Sequence, residues 1–314
     1  MIRYIMKRLF WTIVIVLGAA FVIFTILYFT PGDPARLMLA AEATDEQIEE
    51  MRVLLGINGS YLEQLGRFFY NTFLRFDLGT SWTYQVPVME ELLRRLPRTL
   101  YIGIASMILN VVIGVSLGAY AAVHQGKWQD SLTMAIAMVF ISFPNFWVAL
   151  MMILLFSVKL NLLPSYGIGG VEYYIMPVIA CAIGPIATNA RQARSAMLEV
   201  KRADYITTAR AKGQQEKLVI RRHMLPNAMM PIITSVGGAF ARIVAGAAVI
   251  ESVFSIPGVG LYMLTGINSR DYPVIRGCVL FFAVFTSIAM LLVDLVYAYV
   301  DPRIKAQYTN TKRV

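Results

Sequence analysis

The sequence predicts an all-α integral membrane fold. It has six transmembrane helices and a helical insertion on the extracytoplasmic side after the first. Two observations carry this reading. Only 15% of the 314 residues are charged while 58% are hydrophobic, whereas soluble domains carry about a quarter charged residues. The charges are also gathered into a few blocks, leaving six long runs nearly free of them. The chain is long enough to bury a soluble core, so length decides nothing.

The runs follow in order. Leu9 to Gly32, Thr99 to Gly126 and Ser131 to Val158 carry no charge, nor does Tyr173 to Ala190. Met224 to Ala241 resumes past Arg242 to Ile250, and Gly277 to Val293 resumes past Asp294 to Val300. A spanning helix needs about 20 mostly apolar residues, and it must be helical to satisfy its own backbone in lipid. Pro144, Pro177, Pro185 and Pro231 lie in or near these runs, where neighbouring helices can re-satisfy freed carbonyls. The first run follows Arg3, Lys7 and Arg8 as a signal peptide would. It is too long for one, and Pro31-Gly32-Asp33-Pro34 offers no small-x-small cleavage site. It is expected to remain as the first helix.

Basic residues set the orientation. With the N-terminus inside, the inner segments hold Arg3, Lys7 and Arg8, then Lys127, nine bases from Arg191 to Arg222, and four from Arg303 to Arg313. That makes 17 of the 28. The outer segments hold ten, among them Arg94, Arg95 and Arg98, with Glu90 and Glu91 as offsets. The positive-inside bias therefore places both termini in the cytoplasm. The net charge of +9 is what cytoplasmic loops carry beside anionic membrane lipid, and no nucleic-acid partner is implied. Cys181 and Cys278 read as buried small hydrophobes. His124 and His223 have no acid or cysteine at ligand spacing, so no metal site is expected.

Two segments within the single transmembrane domain (residues 1–314) are too long to be connectors. Residues 31–97 lie outside. Thr44 and Gln47 fit a capping box, and Ile48, Met51, Leu54 and Leu55 recur at helical spacing. A second amphipathic stretch runs from Tyr61 through Phe73. Residues 191–227 lie inside. There Ala203 to Gly213 reads as a short helix with Asp204 near its start and Arg210 and Lys212 near its end, as the helix dipole prefers. Gly213 stops it at C′, where a left-handed conformation is common. Small Ala209, Ala211 and Gly213 leave room for another protein's surface, so this helix reads as a lever arm between two spans.

The string Asp204-Tyr205-Ile206-Thr207-Thr208-Ala209-Arg210-Ala211-Lys212-Gly213, followed by Leu225-Pro226, resembles the cytoplasmic loop of ABC importer permeases. Thr207 and Thr208 replace the Glu-Ala of the general pattern and His223 its Ile, as is usual in peptide-type permeases. Thr30-Pro31-Gly32-Asp33-Pro34-Ala35, Asp77-Leu78-Gly79-Thr80-Ser81, Phe143-Pro144 and Leu163-Pro164 extend the resemblance. So do Glu251 to Gly260, Arg270-Asp271-Tyr272-Pro273 and the ending Tyr299-Val300-Asp301-Pro302-Arg303. Together they look like the B-type permease of dipeptide and oligopeptide importers. Ile57-Asn58-Gly59-Ser60 departs from the pattern, which more often has Leu, an acid and a proline.

The resemblance implies a type I importer in a bacterial or archaeal cell membrane. Such a permease forms half of a translocation pathway with a homologous second permease. Two cytoplasmic ATPase subunits hold ATP and Mg, and an extracytoplasmic binding protein delivers the substrate. Asp204, Tyr205, Thr207, Thr208, Ala209, Arg210, Ala211, Lys212, Gly213, Leu225 and Pro226 are the expected coupling residues, and Arg242 is a candidate for the translocation path. No Gly-x-x-x-x-Gly-Lys-Ser/Thr loop occurs, so the chain itself is expected to bind no cofactor and to hydrolyse no ATP. Nickel chelates, glutathione and oligosaccharides are alternative cargoes within the same permease group. An ion-coupled secondary transporter would need ionisable relays at mid-membrane. Only Arg242 and Asp294 interrupt the runs. No Gly-x-Ser-x-Gly or His-Glu-x-x-His motif suggests an intramembrane enzyme.

Overall fold

The structure is a computed structural model and describes residues 2–39 and 43–300. The end of the chain from Asp301, including the basic tail used above for orientation, lies outside the described residues. In order, the helices are α1 (Ile2–Phe29), α2 (Pro34–Met38), α3 (Asp45–Leu54), α4 (Tyr61–Phe69), α5 (Val88–Leu109), α6 (Ser116–Val123) and α7 (Trp128–Ser142). They continue with α8 (Asn145–Met152), α9 (Glu172–Lys201), α10 (Asp204–Ala211), α11 (Glu216–Leu218), α12 (Leu225–Val253), α13 (Val259–Ser269) and α14 (Tyr272–Val300). Wider π-helical turns at Tyr70–Leu74, Asn110–Val115, Ile153–Lys159 and Val219–Met224 interrupt or join them. Among the described residues the sole β pairing is an isolated bridge between Thr80 and Pro87.

Among the described residues, four stretches are long and apolar enough to cross a membrane: Met6–Phe29, Val88–Val123, Glu172–Lys201 and Tyr272–Val293. The run Ser131 to Val158, expected as one continuous span, is instead broken. α7 and the stretch Asn145–Lys159 meet at a bend of 98°. The cause is local: Pro144 has no N–H to continue α7, and Phe143 before it takes the extended conformation (φ −87°, ψ 133°) that a pre-proline residue prefers. Pro177, Pro185 and Pro231 sit inside intact helices. The fifth expected span corresponds to α12, whose 29 residues give about 43 Å of helix.

The chain divides into two compact units. One comprises Arg98–Pro257 with residues 2–5 and 286–300. Its centre is α9, which packs against α6, α7, α8 and α12. Small residues allow the approach: a methyl group on Gly118 would lie 2.6 Å from Ala193 Cβ, so α6 and α9 touch backbone to backbone. Several polar groups inside are paired. Asn189 donates to Asn110 Oδ1 at 2.8 Å and accepts from Ser235. Arg194 donates twice to Asp130, at 2.5 and 2.7 Å. The fully buried Glu251 accepts from Thr99 Oγ1 at 2.6 Å.

The other unit comprises Met6–Pro97 and Gly258–Phe285. Its apolar centre joins Phe24 of α1 to Phe68 of α4 with rings 5.4 Å apart, and Val88 and Leu92 of α5 to Tyr262 and Val274. The expected capping box is present: Thr44 Oγ1 accepts from Gln47 N, and Gln47 Oε1 from Thr44 N. α4 starts on an unforeseen reciprocal contact, in which Glu63 accepts from Ser60 N at 2.8 Å. That bond holds the exposed Glu63 carboxyl below its usual range. Glu91 pairs with both Arg94 and Arg95.

Candidate functional site: the α9–α12 joint

α9 runs on past the charge-free segment to Lys201, so the segment 191–227 begins as a continuation of a span. Ala203 then turns extended (φ −74°, ψ 142°) and serves as N-cap of α10. α10 ends at Ala211, and Gly213 takes φ +74°, the left-handed C′ geometry expected from sequence. Gly213 N donates to Arg210 O at 2.9 Å, and Gln214 N to Ala209 O at 3.4 Å. α11 and the π turn Val219–Met224 lead into α12, with Pro226 in its first turn, where a missing N–H costs nothing.

The joint is held by apolar packing inside and polar links outside. Ile206 is fully buried, Ala209 nearly so, and both join a core with Ala193, Met197, Val219 and Met224. Leu225 packs at the edge of that core. On the outside, the Arg210 guanidinium grips Glu216 with two bonds, at 3.0 and 2.6 Å. Arg210 is thereby raised further above its ordinary value, and the Glu216 carboxyl is held below its own. His223 Nε2 and Gln214 Oε1 lie 2.8 Å apart and close the second side of the turn.

This geometry corrects the role given to Ala209. It does not face outward to receive another protein; it is small because it packs against the base of α9 and α12. The outward face is made by Asp204, Tyr205, Thr207, Thr208, Ala211, Lys212 and Gly213. A Cβ on Gly213 would meet nothing within 4 Å. The sequence reading missed Ile206, the anchor, and the Arg210–Glu216 clamp. Both had a signal: Ile206 is the lone large aliphatic in the helix, and Glu216 is the acid nearest in sequence after its basic end. Arg242 lies in α12, but its side chain is outside the described residues.

The motifs in the second unit converge as well. Asp271 is buried and accepts from Ser81 Oγ at 2.6 Å and from Thr83 N at 3.0 Å. This brings Asp77 to Ser81 against Arg270 to Pro273. Arg270, itself left-handed (φ 54°), donates to Pro31 O at 3.0 Å. The neighbouring Asp33 accepts two bonds from Arg52, at 3.1 and 2.7 Å. Residues scattered over about 240 positions therefore tie segment 31–97 to the start of α14.

α10 is thus a short helix anchored on the ends of two long apolar helices, α9 and α12, with an exposed face. The chain belongs to the family described as binding-protein-dependent transport system inner membrane component. It matches that description over residues 114–306 and the family's N-terminal component over residues 1–103. It is thus a multi-pass inner-membrane permease. It is 38% identical to the dipeptide transport system permease protein DppB of Alkalihalophilus pseudofirmus, covering 97% of this chain and all of that one. It is 37% identical to the glutathione transport system permease protein GsiC of Salmonella paratyphi A, covering 97% of this chain and 99% of the relative. In fold it is similar to a chain of the inward-facing MetNI methionine ABC transporter, with a TM-score of 0.59 and 20% identity. That match covers 68% of this chain and 97% of the other.

Proposed function

We propose that the chain is the permease subunit of an ATP-driven importer of peptides, of the dipeptide or oligopeptide type. It forms half of the pathway with a homologous second permease. Two cytoplasmic ATPases, carrying ATP and Mg, work on it, and an extracytoplasmic binding protein supplies the cargo. The observation that carries this reading is the α9–α12 joint. α10 is clamped to two long helices by Ile206 and Ala209, while Tyr205, Thr207, Thr208, Ala211, Lys212 and Gly213 stand exposed. A partner seated there moves both helices together, since α10 cannot slide on a core this tightly filled. The dipeptide and glutathione relatives support a peptide cargo. The bias of basic residues supports cytoplasmic termini, and with them an outer position for α3 and α4. Arg242 belongs to the same reading as a path residue, one helical turn before Gly246, which lines a cavity.

The test loads the outward face without disturbing the core. Ala211→Tyr adds bulk at an exposed position, and Gly213→Val adds bulk where a left-handed φ costs about 1–2 kcal/mol. Both variants are expected to insert normally yet lose copurifying ATPases, or keep ATP hydrolysis without substrate-stimulated uptake in proteoliposomes. A cysteine replacing Lys212 should be labelled from the cytoplasmic side alone, and one replacing Glu46 from the opposite side. Wild-type copurification, stimulation and uptake in both bulky variants would remove the mechanism.

A further inference from the structure

The break between α7 and α8 falls at the centre of the charge-free run Ser131 to Val158, and a cavity of about 180 Å³ opens beside it. Phe143 and Asn145 line it from the break, Cys181, Pro185 and Thr188 from α9, and Gly246 from α12. Irregular backbone at membrane depth is tolerated where it is buried in protein or lines a water-filled cavity. Here the polar groups gather on one side. Pro185 has no N–H, so the Cys181 carbonyl receives no α-helical donor from it. The Thr188 hydroxyl donates to Gly184 O at 3.0 Å and keeps its lone pairs for a visitor. The Asn145 side-chain amide makes no hydrogen bond among the described residues, and it lies within 3.3 Å of where a Cβ on Gly184 would sit. Among the described side chains that line the cavity, none is charged.

This set of groups has a defined complement. Asn145 offers one acceptor and one donor type on a single plane, and the Cys181 carbonyl and Thr188 oxygen add acceptors. A carboxylate or ammonium would enter without a counter-charge, at a heavy desolvation cost. A neutral amide, with one N–H and one C=O, finds partners for both. We propose that this cavity is a subsite touched by the peptide backbone in transit, with Asn145 as the pairing group. The proposal rests on the peptide-import reading and deepens it. A subsite that recognises the backbone amide, and no charge or side chain, serves peptides of many sequences equally and holds none of them strongly.

The experiment uses the assembled transporter in proteoliposomes with trialanine as cargo. Asn145→Leu keeps the volume and removes both polar atoms. Loss of one hydrogen bond worth about 1 kcal/mol predicts uptake reduced about fivefold, with copurification of the ATPases unchanged. In a chain with Cys181→Ala and Cys278→Ala, Asn145→Cys should react with a small water-soluble methanethiosulfonate, and turnover with trialanine and ATP should slow that reaction. Wild-type uptake in Asn145→Leu, or no labelling of Asn145→Cys, overturns the subsite while leaving the importer intact. If the wild-type complex takes up no trialanine, the peptide reading itself fails, and the subsite with it.

Discussion

The joint around α10 and the folded outer segment from α2 to α5 each interrupt a pair of long helices, yet they are stabilised by opposite means. The joint is an apolar anchor with a thin polar surface. Two isoleucines, a valine, a row of alanines and two methionines make its core, and two polar links close its turn. The outer segment is a polar lattice on aromatic supports. Asp33–Arg52, Ser81–Asp271 and the Arg270 bond to Pro31 tie its loops together, and Arg95 and Arg276 lie over aromatic rings. The lesson concerns what each region does under load. Apolar packing without directional bonds transmits displacement as a block. A net of oriented hydrogen bonds fixes one loop geometry and resists change.

The comparison can be broken at the strongest point of each region. Ile206→Ala empties the centre of the joint, where buried Ile-to-Ala changes cost about 2–5 kcal/mol. Protection of the α10 backbone against hydrogen exchange should fall steeply, with uptake lost and the outer segment unaffected. Asp271→Ala should act on the outer segment instead. It leaves Ser81 Oγ and Thr83 N without their acceptor, at about 1–3 kcal/mol for each buried group left unsatisfied. Limited proteolysis from outside should then cut between α4 and α5, while ATPase copurification stays normal. If Ile206→Ala and Asp271→Ala prove equally damaging to both regions, the division of labour between them is wrong.

Glu216→Gln gives the smallest effect and sharpens the account of the joint. Its carboxyl is held low by Arg210, so the pair contributes fully above the unfolded value near pH 4.3. That contribution is lost as pH falls through the lower folded value. The Glu216 side chain is 54% exposed, so solvent screening limits the pair to about 0–1 kcal/mol. The variant should melt slightly below wild type at pH 7, and the gap should close at acid pH. A gap that persists unchanged in acid would assign the effect to packing and leave the ion pair with no role.

By itself the sequence determined whatever depends on neighbours along the chain. Runs without charge mark the spans because lipid satisfies no backbone group. The Thr44–Gln47 box and the stop at Gly213 follow from which side chains reach local N–H groups and which residue tolerates positive φ. Tertiary structure decided the rest. That Ala209 faces inward and Ala211 outward depends on what α9 and α12 place beneath α10, which helical spacing cannot say for two small residues. That Asp271 accepts from Ser81 is a pairing across 190 positions, invisible to any local pattern. The right-angle break at Pro144, where Pro177, Pro185 and Pro231 leave their helices whole, shows the same limit. A proline inside a helix removes one hydrogen bond, and the surrounding helices decide whether the chain bends or carries on.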